Sequence, residues 1–217
     1  MTIPIVEIFN SIEGEGIRAG KLCTFIRTAG CNLRCSFCDT TYSYNGGTQM
    51  TVQQIVDEVK RLGCNLVTLT GGEPLLQVQV RQFLIPALLE EGFEVNIETN
   101  GSIDLTTLDE NSVNNSLITM DWKSISSGMS DKMIKSNLLL LKNTDVLKFV
   151  VGTDEDLSEM VNVLNNNNIK AQIFVSPAFG KIQMSTIVDF MKKNELYNVR
   201  LQCQLHKIAW DPNKRGV

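Results

Sequence analysis

Cys31-Asn-Leu-Arg-Cys35-Ser-Phe-Cys38 is a short, polar stretch with three thiols, and Thr70-Gly71-Gly72-Glu73-Pro74 lies some thirty positions beyond it. Each follows an apolar, β-rich run: residues 22–28 precede the first and residues 66–70 lead into the second. Comparable runs recur at 3–9, 94–98, 117–121, 146–151, 171–175 and 199–202. Helical patterns lie between many of them. Thr51 opens one with Gln54 three residues on, a capping-box arrangement. Ile55, Val56, Val59 and Leu62 then mark one face, and Gly63 ends it. Residues 80–91, 156–164 and 185–193 read the same way, and 138–141 read as the end of another helix.

Strand alternating with helix implies crossovers and a parallel sheet. Six such units run from Leu22 to about Lys193, too few to close an eight-unit barrel. The expected fold is therefore α/β: a partial, open parallel (β/α)6-type barrel with residues 3–9 as an added N-terminal strand. In such sheets the reactive end lies beyond the carboxyl ends of the strands. Both motifs fall at that end.

The chain has 217 residues, 43% of them hydrophobic and 20% charged, which suits one domain spanning residues 1–217. No apolar run is long enough to span a membrane. The first residues lack the basic and apolar regions of a secretory signal, so a cytoplasmic protein with reduced thiols is expected. The six cysteines then read as ligands or core residues. A net charge of −4 without a basic stripe argues against nucleic acid and for a small-molecule substrate.

A cubane iron–sulfur cluster has four irons and ordinarily four cysteine ligands. The loop supplies three, at i, i+4 and i+7, leaving one corner for an outside ligand. A structural zinc site would need a fourth donor and cysteines in pairs, and none is locally paired with this loop. Cys23, Cys64 and Cys203 stand alone and read as small buried hydrophobes. The glycines of the second motif allow close backbone approach to a ligand.

Cys31-x-x-x-Cys35-x-x-Cys38 with Gly71-Gly72-Glu73-Pro74 resembles the radical S-adenosylmethionine superfamily. Within it, Glu7 to Gly16, Phe25 to Leu33, Cys38-Asp39-Thr40, Ser126-Ser127-Gly128-Met129 and Gln204-Leu205-His206-Lys207 resemble 7-carboxy-7-deazaguanine synthases over nearly the whole chain. The resemblance implies the superfamily's partial barrel and a [4Fe–4S] cluster whose fourth iron chelates S-adenosylmethionine. Reductive cleavage of that cofactor gives a 5′-deoxyadenosyl radical. It also implies Mg²⁺ and a radical ring contraction of 6-carboxy-5,6,7,8-tetrahydropterin with loss of ammonia, on the route to queuosine. No catalytic side chain beyond the cofactors is implied.

Carried over by number, Cys31, Cys35 and Cys38 hold the cluster. Phe37, Cys38, Asp39, Gly72, Glu73, Asp121, Trp122, Lys123 and Ser176 meet S-adenosylmethionine. Thr40 holds Mg²⁺. Ile12, Glu13, Gly14, Arg27 and Thr70 meet the pterin, Arg27 through the substrate carboxylate. A flavodoxin or ferredoxin as electron donor and a homodimer are also implied.

Two positions depart from the common family pattern. Asp121-Trp122-Lys123 stands where many relatives have Ser-Pro-Lys, and Ser176-Pro177 stands where Gln-Pro is common; both are expected to keep their cofactor contacts through altered groups, Trp122 being the least secure and alternatively a core aromatic. Glu98-Thr99-Asn100-Gly101 is a nucleoside contact or simply a strand-ending turn. Glu13 and Glu15 are readable as plain loop carboxylates, and His206 as a structural hydrogen bonder or a ligand. The competing branch is a glycyl-radical activating enzyme, which shares the two motifs but needs neither Arg27, Thr40 nor the 11–16 segment.

Overall fold

The computed structural model describes residues 1–212 and 214–217. Among these residues nine strands form one sheet: β1 (Thr2–Ile12), β2 (Leu22–Thr28), β3 (Thr48–Thr51), β4 (Leu66–Gly71), β5 (Glu94–Thr99), β6 (Leu117–Lys123), β7 (Val146–Val151), β8 (Gln172–Pro177) and β9 (Val199–Leu201). Their order is β3-β1-β2-β4-β5-β6-β7-β8-β9. From β2 onward every pair is parallel, and β1 pairs antiparallel with β2 and β3. The sheet stays open, with β3 and β9 at its edges.

The crossovers carry α1 (Val52–Leu62), α2 (Ile85–Glu90), α3 (Glu110–Asn115), α4 (Asn137–Leu140), α5 (Asp154–Asn166) and α6 (Met184–Lys193), and α7 (Leu205–Ala209) follows β9. Helix α1 begins with both halves of its capping box, Gln54 N–H to the Thr51 hydroxyl and Thr51 N–H to the Gln54 side chain, and ends at Gly63 with φ 76°. It buries Ile55, Val56 and Val59 against the sheet. A lysine apart, β7 is apolar throughout and wholly buried, as a strand covered on both faces must be.

Three elements were not legible as they stand. Strand β3 is four residues of mixed polarity at an edge, too short to show a period. It pairs Thr48–Thr51 with the start of β1. Helix α3 depends on Asp109, whose carboxylate accepts from Ser112 N–H, in a polar segment without an apolar stripe. Residues 80–84 wind as a π turn before α2. Pro86 cannot donate an N–H to the preceding turn, and a wider turn accommodates that loss.

No helix among the described residues is long and apolar enough to cross a membrane. Because Thr51 caps α1 at the point where β3 hands over to the helix, Thr51→Ala should lower unfolding free energy by about 1 kcal/mol. A urea midpoint lowered at constant m-value is the expected readout; an unchanged midpoint would contradict the cap's contribution.

Candidate active site

The parallel register of β2 with β4 sets Arg27 beside Thr70 and Thr28 beside Gly71. The two strands therefore end together, and their following segments meet. Gly72 N–H donates to Thr28 O (3.2 Å) and Glu73 N–H to Gly30 O (2.8 Å). Gly71 has φ 147°, and a Cβ there would lie 2.3 Å from Thr28 O. A Cβ on Gly72 would lie 2.2 Å from Gly30 O and 2.8 Å from Cys31 Cβ. Only glycine permits this approach.

A cavity opens at these strand ends. Cys31, Cys35 and Cys38 all line it, as do Phe37, Asp39 and Thr40 from the same loop and Gly72 from the turn. Ile12, Glu13 and Gly14 line it from the end of β1, Arg27 and Thr70 from β2 and β4, and Asp121 and Lys123 from β6. A cubane needs three thiols arrayed around a space, one per iron, rather than donors converging on one ion. Among the described residues no three thiol, imidazole or carboxylate groups converge on a single-ion site. The residues fit a cluster: three cavity-facing thiols, a backbone cradle at Gly72 and the Lys123 ammonium nearby. Burial raises the Cys31 and Cys35 thiols, and the Leu33 N–H at Cys31 and the Lys123 ammonium at both offset only part of that rise.

Three of the expected S-adenosylmethionine contacts have side chains buried within the protein. Glu73 is fully buried beneath the cavity floor. Its carboxylate accepts from Leu75 N–H (3.0 Å), the Thr99 hydroxyl (2.9 Å) and Asn100 N–H (2.6 Å), so its oxygens are engaged within the protein. Burial raises its pKa to about 7 despite these donors. Trp122 packs in the hydrophobic core, 4% exposed. Adjacent strand residues point to opposite faces, so Asp121 and Lys123 take the cavity and Trp122 the core. Ser176 is buried, and its hydroxyl donates to Glu15 Oε1 (2.9 Å).

Glu15 belongs to a charged belt that sequence reading missed. Lys148 Nζ lies 2.9 Å from Glu15 Oε2 and 3.5 Å from Asp121 Oδ2, and Lys123 lies 3.0 Å from the same Asp121 oxygen. Gln204 Nε2 also reaches Glu15 (3.4 Å). Burial alone would raise the Glu15 carboxyl; Lys148, Ser176 and Gln204 carry it below the ordinary value instead. Lys148 stays charged against its own burial because Glu15, Asp121 and Glu98 surround it. The signal was a single lysine inside an otherwise apolar run, residues 146–151. Asp121 Oδ1 is buried without a partner.

The end of the chain completes the wall. Gln202 and Gly16 exchange two hydrogen bonds (2.8 and 3.1 Å), and Leu205 N–H donates to Gly14 O (3.1 Å). His206 lies so close that a Cβ on Gly14 would sit 2.2 Å from its Nδ1. Burial lowers the His206 pKa, although Glu15 and Asp39 oppose this. Lys207 pairs with Asp39 (2.9 Å), whose carboxyl falls to about 2: desolvation raises it, and the ammonium and the Thr40 hydroxyl more than reverse that.

Arg27 is held edge-on. Its Nε donates to Glu7 Oε1 (2.7 Å), which also accepts from the Tyr42 hydroxyl (3.0 Å), and the guanidinium lies over the Phe9 and Tyr42 rings. Glu13 is 2% exposed; its Oε2 accepts from the Thr68 hydroxyl and the Cys23 thiol. Burial, then the Glu98 carboxylate, raises its pKa to about 7. Glu98 itself accepts from the Thr70 hydroxyl (2.8 Å).

Comparison with known proteins bears on this geometry. Residues 25–176 match the model of the Radical SAM superfamily. The chain is 46% identical to a 7-carboxy-7-deazaguanine synthase of Clostridium acetobutylicum over the full length of both. It is 42% identical to that of Methanospirillum hungatei, covering 96% of this chain and 86% of the relative. The crystal structure of QueE from Escherichia coli superposes with TM-score 0.74 over 94% of each chain at 21% identity, a likeness of fold. The glycine-cradled cysteine loop, the strand order and the full-length identity agree: the chain belongs to the Radical SAM superfamily and, within it, to the 7-carboxy-7-deazaguanine synthase family.

Proposed function

We infer that this chain forms 7-carboxy-7-deazaguanine by radical ring contraction of 6-carboxy-5,6,7,8-tetrahydropterin with release of ammonia. The observation that carries the reading is the set of three thiols around one cavity, against a glycine turn, with Arg27 on the same wall. When bound, the cluster and S-adenosylmethionine supply one-electron, hydrogen-abstracting chemistry; the protein orients and shields them. Cys31, Cys35 and Cys38 would hold the cluster. Phe37, Cys38, Asp39, Gly72, Asp121 and Lys123 would meet S-adenosylmethionine.

Ile12, Glu13, Gly14 and Thr70 would meet the pterin. With Arg27 Nε held by Glu7, its two terminal nitrogens are left for a substrate carboxylate, which a guanidinium binds through two parallel hydrogen bonds. The Thr40 hydroxyl would ligate Mg²⁺, whose other octahedral positions the substrate carboxylate and water can fill. The proposed reductant is a flavodoxin or ferredoxin, and the proposed assembly a homodimer, both by family resemblance.

The direct test is anaerobic incubation of the iron-loaded protein with the carboxytetrahydropterin, S-adenosylmethionine, Mg²⁺ and a reductant. Deazaguanine product is expected; a loaded cluster without product overturns the assignment. Arg27→Ala should raise KM for the pterin roughly 10- to 100-fold, the worth of a charge-assisted pair, with S-adenosylmethionine binding kept. Unchanged KM would remove Arg27 from the substrate site.

Glu13 gives a pH signature. Folded, its carboxyl keeps a proton up to about pH 7, and unfolded only to about 4.5. Its contribution to stability is therefore complete below 4.5 and is lost as pH rises through 7. Glu13→Gln removes that loss. The variant's stability relative to the parent should grow between about pH 5 and 8 by on the order of 2 kcal/mol. Urea unfolding at the two pH values measures this, and an equal difference at both would contradict the raised pKa.

A further inference from the structure

Asp156 is fully buried and accepts from more donors than its helix requires. As the third residue of the α5 capping box it needs one bond, from Thr153 N–H (3.2 Å). It also accepts from Gly152 N–H (2.7 Å), from Ser126 N–H (2.8 Å) and from the Ser126 hydroxyl (2.5 Å). The last two come from a different loop, the single turn Ile125–Ser127 that follows β6. Glu159, one turn further along α5, takes Ile125 N–H (2.8 Å). Two carboxylates of one helix thus hold this turn by its backbone.

The turn is braced internally as well. The Ser127 hydroxyl donates to Ser124 O (2.6 Å) and accepts from Met129 N–H (3.1 Å), and the Ser124 hydroxyl donates to Val150 O (2.8 Å). Its outward carbonyls point at the cysteine loop. Ser126 O accepts from the Ser36 hydroxyl (2.7 Å), and Ser127 O accepts from Ser36 N–H (3.0 Å). Ser36 sits between Cys35 and Cys38. The opposite end of the loop is held separately, by Asn100 Nδ2 on Asn32 Oδ1 (3.2 Å).

We propose that Asp156 is a positioning residue for the cluster, acting through the Ser126–Ser127 turn and Ser36 to fix the Cys35–Cys38 half of the cysteine loop. The proposal rests on the reading of that loop as the cluster site. Partners one layer removed from metal ligands commonly govern retention of the metal. Here the layer is reached through backbone carbonyls of a turn that the buried carboxylate holds in place.

The test uses anaerobically loaded full-length protein and follows loss of the cluster's visible absorbance after addition of an iron chelator, alongside a thermal melt. Asp156→Asn, which turns one acceptor into a donor, should lose its cluster about tenfold faster than the parent. Ser36→Ala, at an exposed position where folding is not at risk, should also lose it faster. The double variant should be no faster than Asp156→Asn alone, because both act on one chain of contacts. Thr153→Ala weakens the same helix cap but leaves the Asp156 carboxylate in place, so it should lower the melting temperature and keep the parent's rate. Asp156→Asn or Ser36→Ala at the parent rate overturns the proposal. So does Thr153→Ala losing its cluster as fast as Asp156→Asn, since general loosening would then explain both. Should Asp156→Asn not fold, Ser36→Ala decides. A parent that takes up no cluster overturns the functional reading and this proposal together, whereas a parent that loads normally isolates the proposal.

Discussion

A side chain at Gly72 would collide with the carbonyl oxygen of Gly30 and with Cys31, and both are parts of the protein that cannot step aside. Backbone lies on backbone there, and the two segments are joined by Gly72 N–H to Thr28 O and Glu73 N–H to Gly30 O. That close seam fixes where the first thiol stands. It follows from a parallel register between β2 and β4 that brings both strands to the same height. Beneath it, Glu73 joins a third strand end by holding Thr99 and Asn100, and Asn100 Nδ2 reaches back to Asn32 and toward Cys31 (3.8 Å). Three consecutive strand ends are thus locked into one rim before any ligand is considered.

The remainder of the rim is organised by charge. Holding Lys148, Glu15, Asp121 and Lys123 largely buried is costly for any one of them alone. Together they neutralise one another across β6, β7 and the loop after β1. Separate contacts from Gln202 to Gly16, Gln204 to Glu15 and His206 beside Gly14 tie the loop after β1 to the segment after β9. A sheet that stays open between β3 and β9 is in this way walled by ion pairs and by the segment after β9.

Much of this was readable from the residues. Apolar runs alternating with capped helical patterns gave a parallel α/β sheet, and the cysteine and glycine motifs fell on adjacent strand ends as the topology demands. The polar second layer was not readable. Glu73 looks like a ligand-facing acid in sequence, yet its carboxylate is taken by the Thr99 hydroxyl and the Asn100 N–H at a strand end twenty-odd residues away, and by the nearby Leu75 N–H. Trp122 follows the alternation of its own strand rather than the family position it occupies. The Glu15–Lys148 pair spans 133 positions, a separation that no local pattern encodes. Only the isolated lysine of β7 hinted at it.

At the centre of the proposed function stands a cluster that Cys31, Cys35 and Cys38 would hold, with one iron left for S-adenosylmethionine. Electron paramagnetic resonance of the reduced, iron-loaded protein, recorded with and without that cofactor, tests this most directly. Direct ligation of the fourth iron requires the g-values to shift on addition. A reduced four-iron signal that the cofactor leaves unchanged would contradict the account.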